Sequence, residues 1–446
     1  TFDIDALGVT TIAAAGDINA SGAVTFGANK SGTLTTSGDI DTSNDNVTFN
    51  RAVTLGGAVD IDTGTGAGNI LFNSTVATGD KNLSLDAGAS GNITAASSIT
   101  GGGNLTVRDG AVQSYQALTV DSLNIQDATT SVTLGGALTS ANAVNIDSGG
   151  TITAGNIGSG KITNLKAGGN IVTGSVTTAT QRIELNAGGG IATADINSNR
   201  SIVLTASGGD IATGSIKTND DSLKITSSGS IATGLVDSAK AVIYDAGETI
   251  KINASITAGS TVAVDATGTT TIAAAGDITA GGAVKFGASK SGTLTTSGDI
   301  DTSNDNVTFT RGVTLGGAVD IDTNTGAGNI LFSSTVATGD NNLSLDAGAS
   351  GNITLSGALT GGGAFTVRDG KAQSYQALTV DSLNIQDATT SVTLGGVLTS
   401  AGAVNIDSGG TIGINAAASG STFDIDATGV TTIAAAGDIN ASGAVT

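Results

Sequence analysis

The chain has 446 residues, with 68 Gly, no Pro, Cys, Met, His or Trp, and a formal net charge of −21. Lacking Cys and His, it can form no disulfide, no Ser-His-Asp or Cys-His catalytic set and no ordinary zinc site. Its acidity disfavours nucleic acid and anionic lipid as partners, and no run of 18 apolar residues offers a transmembrane helix.

Apolar residues make up 39% of the chain, and Val, Ile and Leu recur at even spacing, which argues against disorder. The first elements are triplets with alternating sides: Val47/Phe49, Val53/Leu55 and Val59/Ile61. Alternation of this kind predicts short strands with one face in and one face out. Gly, Asn, Asp and Ser separate them, and no helical period intervenes. Gly is expected to supply left-handed corners, and the missing Pro fits a chain whose strands are all hydrogen-bonded.

Asp-x-Asp pairs punctuate the strands at Asp3/Asp5, Asp39/Asp41, Asp60/Asp62 and Asp424/Asp426. On a strand the two carboxyls share a face ~6.5–7 Å apart, near the spacing of glycosidase acids. The pattern recurs along the chain and marks no single cleft, so no catalytic residue and no enzyme activity are expected. The segment Ser37–Asn46 places Asp39, Asp41 and Asp45 at alternate positions of a calcium-loop pattern, with a copy at Asp299, Asp301 and Asp305. Asn44 stands where such a loop wants Gly and no Glu closes it, so these six are weak calcium candidates and a polar turn is the simpler reading. No cofactor is expected.

Further along, Arg108-Asp109-Gly110 and Arg368-Asp369-Gly370 read as turns. Tyr115 and Tyr375 offer a sticky lateral contact if exposed, against the simpler readings of core packing or an isolated surface Tyr. Sequons at Asn46, Asn82, Asn92, Asn104 and Asn253 are expected by chance in so Asn- and Thr-rich a chain.

The middle block, 153–260, shows the short repeat most clearly. Ile171, Ile191, Ile211 and Ile231 anchor successive units, followed by Val176, Ile196, Ile216 and Val236, then by pairs such as Ile183/Leu185. Three apolar stretches per repeat predict about three short strands per turn of ~20 residues, stacked so that neighbouring turns bury a shared interior. Thr173, Thr193, Thr213 and Thr233 form a row at the same period; an ice-binding face is one reading, and a stacked Thr row beside the turn is the simpler one.

A long repeat overlies the short one. Residues 1–152 match 261–412 without gaps and with about 25 differences, and 422–446 repeat 1–25 with one change, Leu7 to Thr428. The offset suggests a 421-residue period followed by the start of the next. Together with the absent Met, it suggests a segment cut from a tandem array, or subunits meeting head to tail.

The rung pattern of Gly169–Ile171, Ile183–Leu185 and Ala187–Gly189 resembles the haemagglutinin-type repeat regions of two-partner-secretion exoproteins, the filamentous haemagglutinin family. The resemblance implies an all-β, right-handed, single-stranded parallel β-helix running through residues 1–446. It also implies a long extracellular shaft on a Gram-negative bacterial surface, with adhesin character. At ~21 residues per turn and ~4.8 Å between turns, such a rod would be ~100 Å long. The function expected is structural: a fibre or adhesin shaft, or alternatively a filament subunit joining end to end. A polysaccharide-active β-helix enzyme is the alternative from another class. Expected partners are copies of the chain itself and a host or neighbouring-cell surface or matrix.

Overall fold

The computed structural model describes residues 1–30 and 32–446. The described residues are all-β, without a helix, and fall into two units, Thr1–Asn219 and Asp220–Thr446. Each unit is a parallel β-solenoid, and the two together contain about 22 turns with about three strands per turn.

One turn of the first unit shows how the sequence sets the coil. Val47–Phe49, Val53–Leu55 and Val59–Asp62 are its three strands, and in each the first and third residues are buried. Only a side-chain period of two achieves this, which is why branched and aromatic residues alternate with Thr and Asp. Every strand then pairs in parallel with its counterparts one turn before and after. Val47 lies opposite Val24 and Ile70, Val53 opposite Leu34 and Val76, and Val59 opposite Leu83. On the first strand of each turn, equivalent residues are 23 apart here, as in Val24, Val47 and Ile70, and 20 apart in the middle block, as in Ile171, Ile191 and Ile211.

The interior is a stack of like on like. Phe26, Phe49 and Phe72 are at most 1% exposed, with ring centroids 5.1 and 4.6 Å apart and rings within 6° of parallel. Phe286, Phe309 and Phe332 repeat the stack in the second unit at 5.3 and 4.4 Å. Burial of each such side chain stabilises by roughly 1.5–3 kcal/mol. Corner hydroxyls satisfy main-chain carbonyls that the ladders leave over: Thr36 donates to Gly38 O at 2.9 Å and Thr63 to Gly68 O at 2.9 Å.

Glycine serves two purposes, and the expectation of left-handed corners covers only one. Gly27 needs its φ of +78°, and a Cβ there would also lie 2.5 Å from Arg51 Nε. In the middle block none of the described glycines has positive φ. There the constraint is stacking: a Cβ on Gly188 would lie 2.1 Å from Gly168 O, and one on Gly168 2.1 Å from Gly149 O. Turn rests on turn too closely for a side chain. The left-handed corner at Asn44, φ 67°, is taken by a residue type that tolerates it.

The long sequence repeat is out of phase with the coil. Within the second unit, Val262 lies in a column that runs from Leu223 and Val242 through Val284, Val307, Ile330, Ile353, Gln373, Val392 and Ile412 to Thr431. Phe423 occupies the position in the 422–446 copy that Val262 holds in its own. Yet Phe423 lies in another column, opposite Val404. Matching sequences therefore start on different faces, one strand out of step.

Candidate functional site

In the first unit, carboxylates collect on the outer face of the third strand over successive turns. In the first unit Asp41 stands opposite Asp62, and Asp62 opposite Asp86. Asp60 precedes Asp62 on the same face and stands opposite Ser84. Parallel pairing in register thus piles carboxylates at the turn spacing, an unfavourable arrangement unless a cation joins them.

That cation is Arg108. The strand Asn104–Asp109 pairs with Leu83–Asp86 through a register shift: Leu85 faces Val107 but Asp86 faces Asp109. Arg108 is the extra residue of this bulge, which directs its side chain outward and back over the preceding turns. Its Nε donates to Asp86 Oδ2 at 3.0 Å, its Nη1 to Asp60 Oδ2 at 2.9 Å and Ser84 Oγ at 2.8 Å, and its Nη2 to Asp62 Oδ2 at 3.5 Å. One guanidinium spans three turns, as its planar fork allows. The hydrogen bond to Asp60 leads the contacts that hold its proton still more firmly than usual. The second unit reproduces the clasp: Arg368 reaches Asp346 at 3.1 Å, Asp320 at 2.7 Å, Ser344 at 3.1 Å and Asp322 at 3.3 Å. An open groove of about 520 Å³ runs beside the first clasp, walled by Asp39, Asn82, Asn104, Thr106 and Gln126.

The expectation that Arg108–Gly110 and Arg368–Gly370 are turns is corrected by this geometry. Arg108 and Asp109 end a strand, and Arg368–Gly370 lies inside the single strand Ala364–Tyr375. Ladder hydrogen bonds through the bulge outweigh the turn preference of Asp and Gly. The Arg-to-Asp spacings of one and two turns, repeated in both copies, are the signal that could have revealed the clasp.

A second cation is buried. Arg51, its side chain 1% exposed, donates to Asp5 Oδ1 at 3.3 Å, and Arg311, 3% exposed, donates to Asp265 Oδ1 at 2.6 Å. In the second unit the backbone N–H of Ser289 also donates to Asp265, at 2.8 Å, closing the loop above the pair. Burial works against the charge on Asp265. The N–H and O–H donors of Ser289, the Lys290 N–H and Arg311 outweigh it and hold the carboxyl below the usual range.

Among the calcium candidates, Asp39 accepts the Asp60 N–H at 2.7 Å, and its own N–H donates to Asp17 at 3.0 Å. Burial pushes the Asp41 carboxyl up, helped by Asp62, Asp60, Asp39 and Asp17. The Asp45 carbonyl accepts from Thr42 Oγ1 at 2.5 Å. Asp299 accepts the Asp320 N–H at 2.7 Å, Asp301 is pushed up by burial and then by Asp322, and Asp305 O accepts from Thr302 at 2.6 Å. No group of three or more acidic side chains is placed to hold a metal ion among the described residues. Of the Asp-x-Asp pairs, Asp60/Asp62 is joined to one guanidinium and Asp5 to the buried Arg51.

Two other expectations are settled by side-chain direction. Tyr115 and Tyr375 are fully buried, each donating its hydroxyl to a buried Gln, Gln113 at 3.1 Å and Gln373 at 2.7 Å. The exposed lateral contact is thereby overturned in favour of core packing. In the Thr173 row, Thr173 is 7% and Thr233 1% exposed, Thr193 and Thr213 are half-buried, and Thr233 bonds Tyr244 Oη at 3.0 Å. This row shares the inward side with Ile171 and Ile231, two residues earlier, and is no outer face.

Neither family models, curated proteins nor solved structures include a match to the chain.

Proposed function

We propose that the chain is a length of structural shaft, a stiff spacer of an extracellular fibre or adhesin. The observation that supports this reading is the regularity of each unit. Three parallel ladders run turn after turn over a buried interior in which like side chains stack, as Phe26, Phe49 and Phe72 do. Such a coil pairs its strand backbones from turn to turn and needs no disulfide to hold them. Acidic side chains on the third-strand face keep β-rich surfaces apart in solution.

The test is cryo-electron microscopy of the native material, with a surface-accessibility assay on intact cells. Continuous thin fibres with a layer spacing of ~4.8 Å, reached by antibody or protease from outside, are the expected outcome. Compact discrete particles, or protein reached only after lysis, would sink the reading.

A further inference from the structure

The chain holds two Asp-Gly steps, Asp109-Gly110 and Asp369-Gly370, one beside each clasp arginine, and no Asn-Gly step. The two occupy matching places in the long repeat, yet their backbones differ. The strand Asn104–Asp109 ends at the aspartate, so Gly110 lies past it. Gly370 instead lies inside the strand Ala364–Tyr375, and its N–H donates to Asp387 O at 3.1 Å. The Gly110 N–H has no main-chain acceptor among the described residues.

The Asp109 carboxyl is held less firmly than its counterparts. One and two turns earlier, Asp86 and Asp62 accept the Gly88 and Gly64 N–H groups at 3.0 and 2.6 Å, and both also bond Arg108. Asp109 Oδ1 accepts no hydrogen bond. Burial pushes the Asp109 carboxyl up, and Asp127 and Asp86 add to the rise; the adjacent Gly110 N–H pulls the other way. A carboxyl kept towards its protonated form is the better electrophile, because its hydroxyl can depart as water. Asp109 also lines a cavity of about 270 Å³ with Asp62, Thr65, Asp86 and Gly88, which leaves room for a ring and for water.

We propose that Asp109-Gly110 is a site of spontaneous isomerisation to isoaspartate, and that the fold protects Asp369-Gly370 from the same change. Gly110 N attacks Asp109 Cγ. A C–N bond forms, the nitrogen gives up its proton and the carboxyl gives up its hydroxyl, so one water leaves and a five-membered succinimide remains. Glycine suits the attack because it sets no side chain beside the nitrogen. Water then adds back at one of the two ring carbonyls, and the overall mass is unchanged. Addition at the main-chain carbonyl carbon leaves the chain running through Cγ and frees the α-carboxylate. The main chain thereby gains one carbon next to Arg108, at the bulge that aims its guanidinium. At the second site the ladder bond from Gly370 to Asp387 must break before the nitrogen can turn to Asp369.

The test is prolonged incubation of the purified full chain in warm, mildly acidic buffer, with a parallel sample unfolded in urea. Peptide mapping by electron-transfer mass spectrometry tells isoaspartate from aspartate at each step. In the folded chain, several-fold more isoaspartate is expected at 109 than at 369, preceded at 109 by a peptide lighter by one water. In urea the two steps should isomerise alike, because the ladder that protects Gly370 is gone. Absence of isoaspartate at 109, or equal accumulation at the two steps of the folded chain, would overturn the proposal. So would the same preference in urea, which would trace the difference to Ala111 against Lys371 and not to the fold.

Discussion

Arg108 Nη1 lies 2.9 Å from Asp60 Oδ2, two turns earlier in the coil. Both side chains are about a third exposed, so the bond is partly screened, and its value lies in the network. Without the guanidinium, Asp60, Asp62 and Asp86 would face one another on successive turns. Arg108→Ala is expected to destabilise the first unit by about 1 kcal/mol at low salt, and less at high salt as repulsion is screened. Urea unfolding at two ionic strengths checks this; a loss that does not depend on salt would contradict it.

The buried pair is costlier to break. Arg311→Met leaves the Asp265 carboxylate without its cation in a largely buried site, a change that costs roughly 3–5 kcal/mol. The double variant Arg311→Met/Asp265→Asn should recover much of that loss. The loop at 287–293 should open first in the single variant, because Ser289 and Lys290 are held by the same carboxylate. Limited proteolysis of that loop, compared across the two variants, is the measurement.

Stability should rise on mild acidification. The carboxyls of Asp41, Asp109, Asp301 and Asp369 are pushed up, first by burial and then by neighbouring carboxylates, such as Asp62 beside Asp41 and Asp322 beside Asp301. A carboxyl raised in the folded state binds its proton more tightly there than when unfolded. Stability is therefore gained as pH falls towards the unfolded value of ~3.9. Asp265 is held low and acts oppositely, losing its contribution below that value. A thermal-melting maximum at mildly acidic pH, above ~4, is expected, and Asp41→Asn should flatten the rise. A midpoint that falls steadily from neutral pH downward would refute this.

Phe49 is the middle ring of the first unit's stack, between Phe26 and Phe72. Phe49→Ala removes both contacts and leaves a cavity, at a cost of roughly 3–5 kcal/mol. Phe49→Leu should cost clearly less. Because solenoid turns contact chiefly their neighbours, hydrogen exchange should quicken near residues 24–72 and hardly change in the middle block. Uniform quickening throughout the chain would argue against local coupling.

Much of the fold could be read without coordinates. Alternation such as Val47-Thr48-Phe49, the absence of any helical period, and the anchors Ile171, Ile191 and Ile211 determined short strands, about three to a turn, and turns stacked in register. These are local consequences of a side-chain period of two and of apolar faces that no single turn can bury. The inward aim of the Thr173 row was legible too, since Thr173 shares its parity with Ile171. Tertiary structure alone decided where each strand lands once the chain has rounded a corner. A bulge shifts the parity of a strand, so nothing local shows that Arg108 turns outward to Asp86, Asp60 and Asp62. Nor does the sequence count corners, so it could not show that Val262 and Phe423, at matching places in the long repeat, belong to different columns. Residue identity sets which side of a strand is buried; which turn, column and partner that side meets depends on every corner and bulge before it.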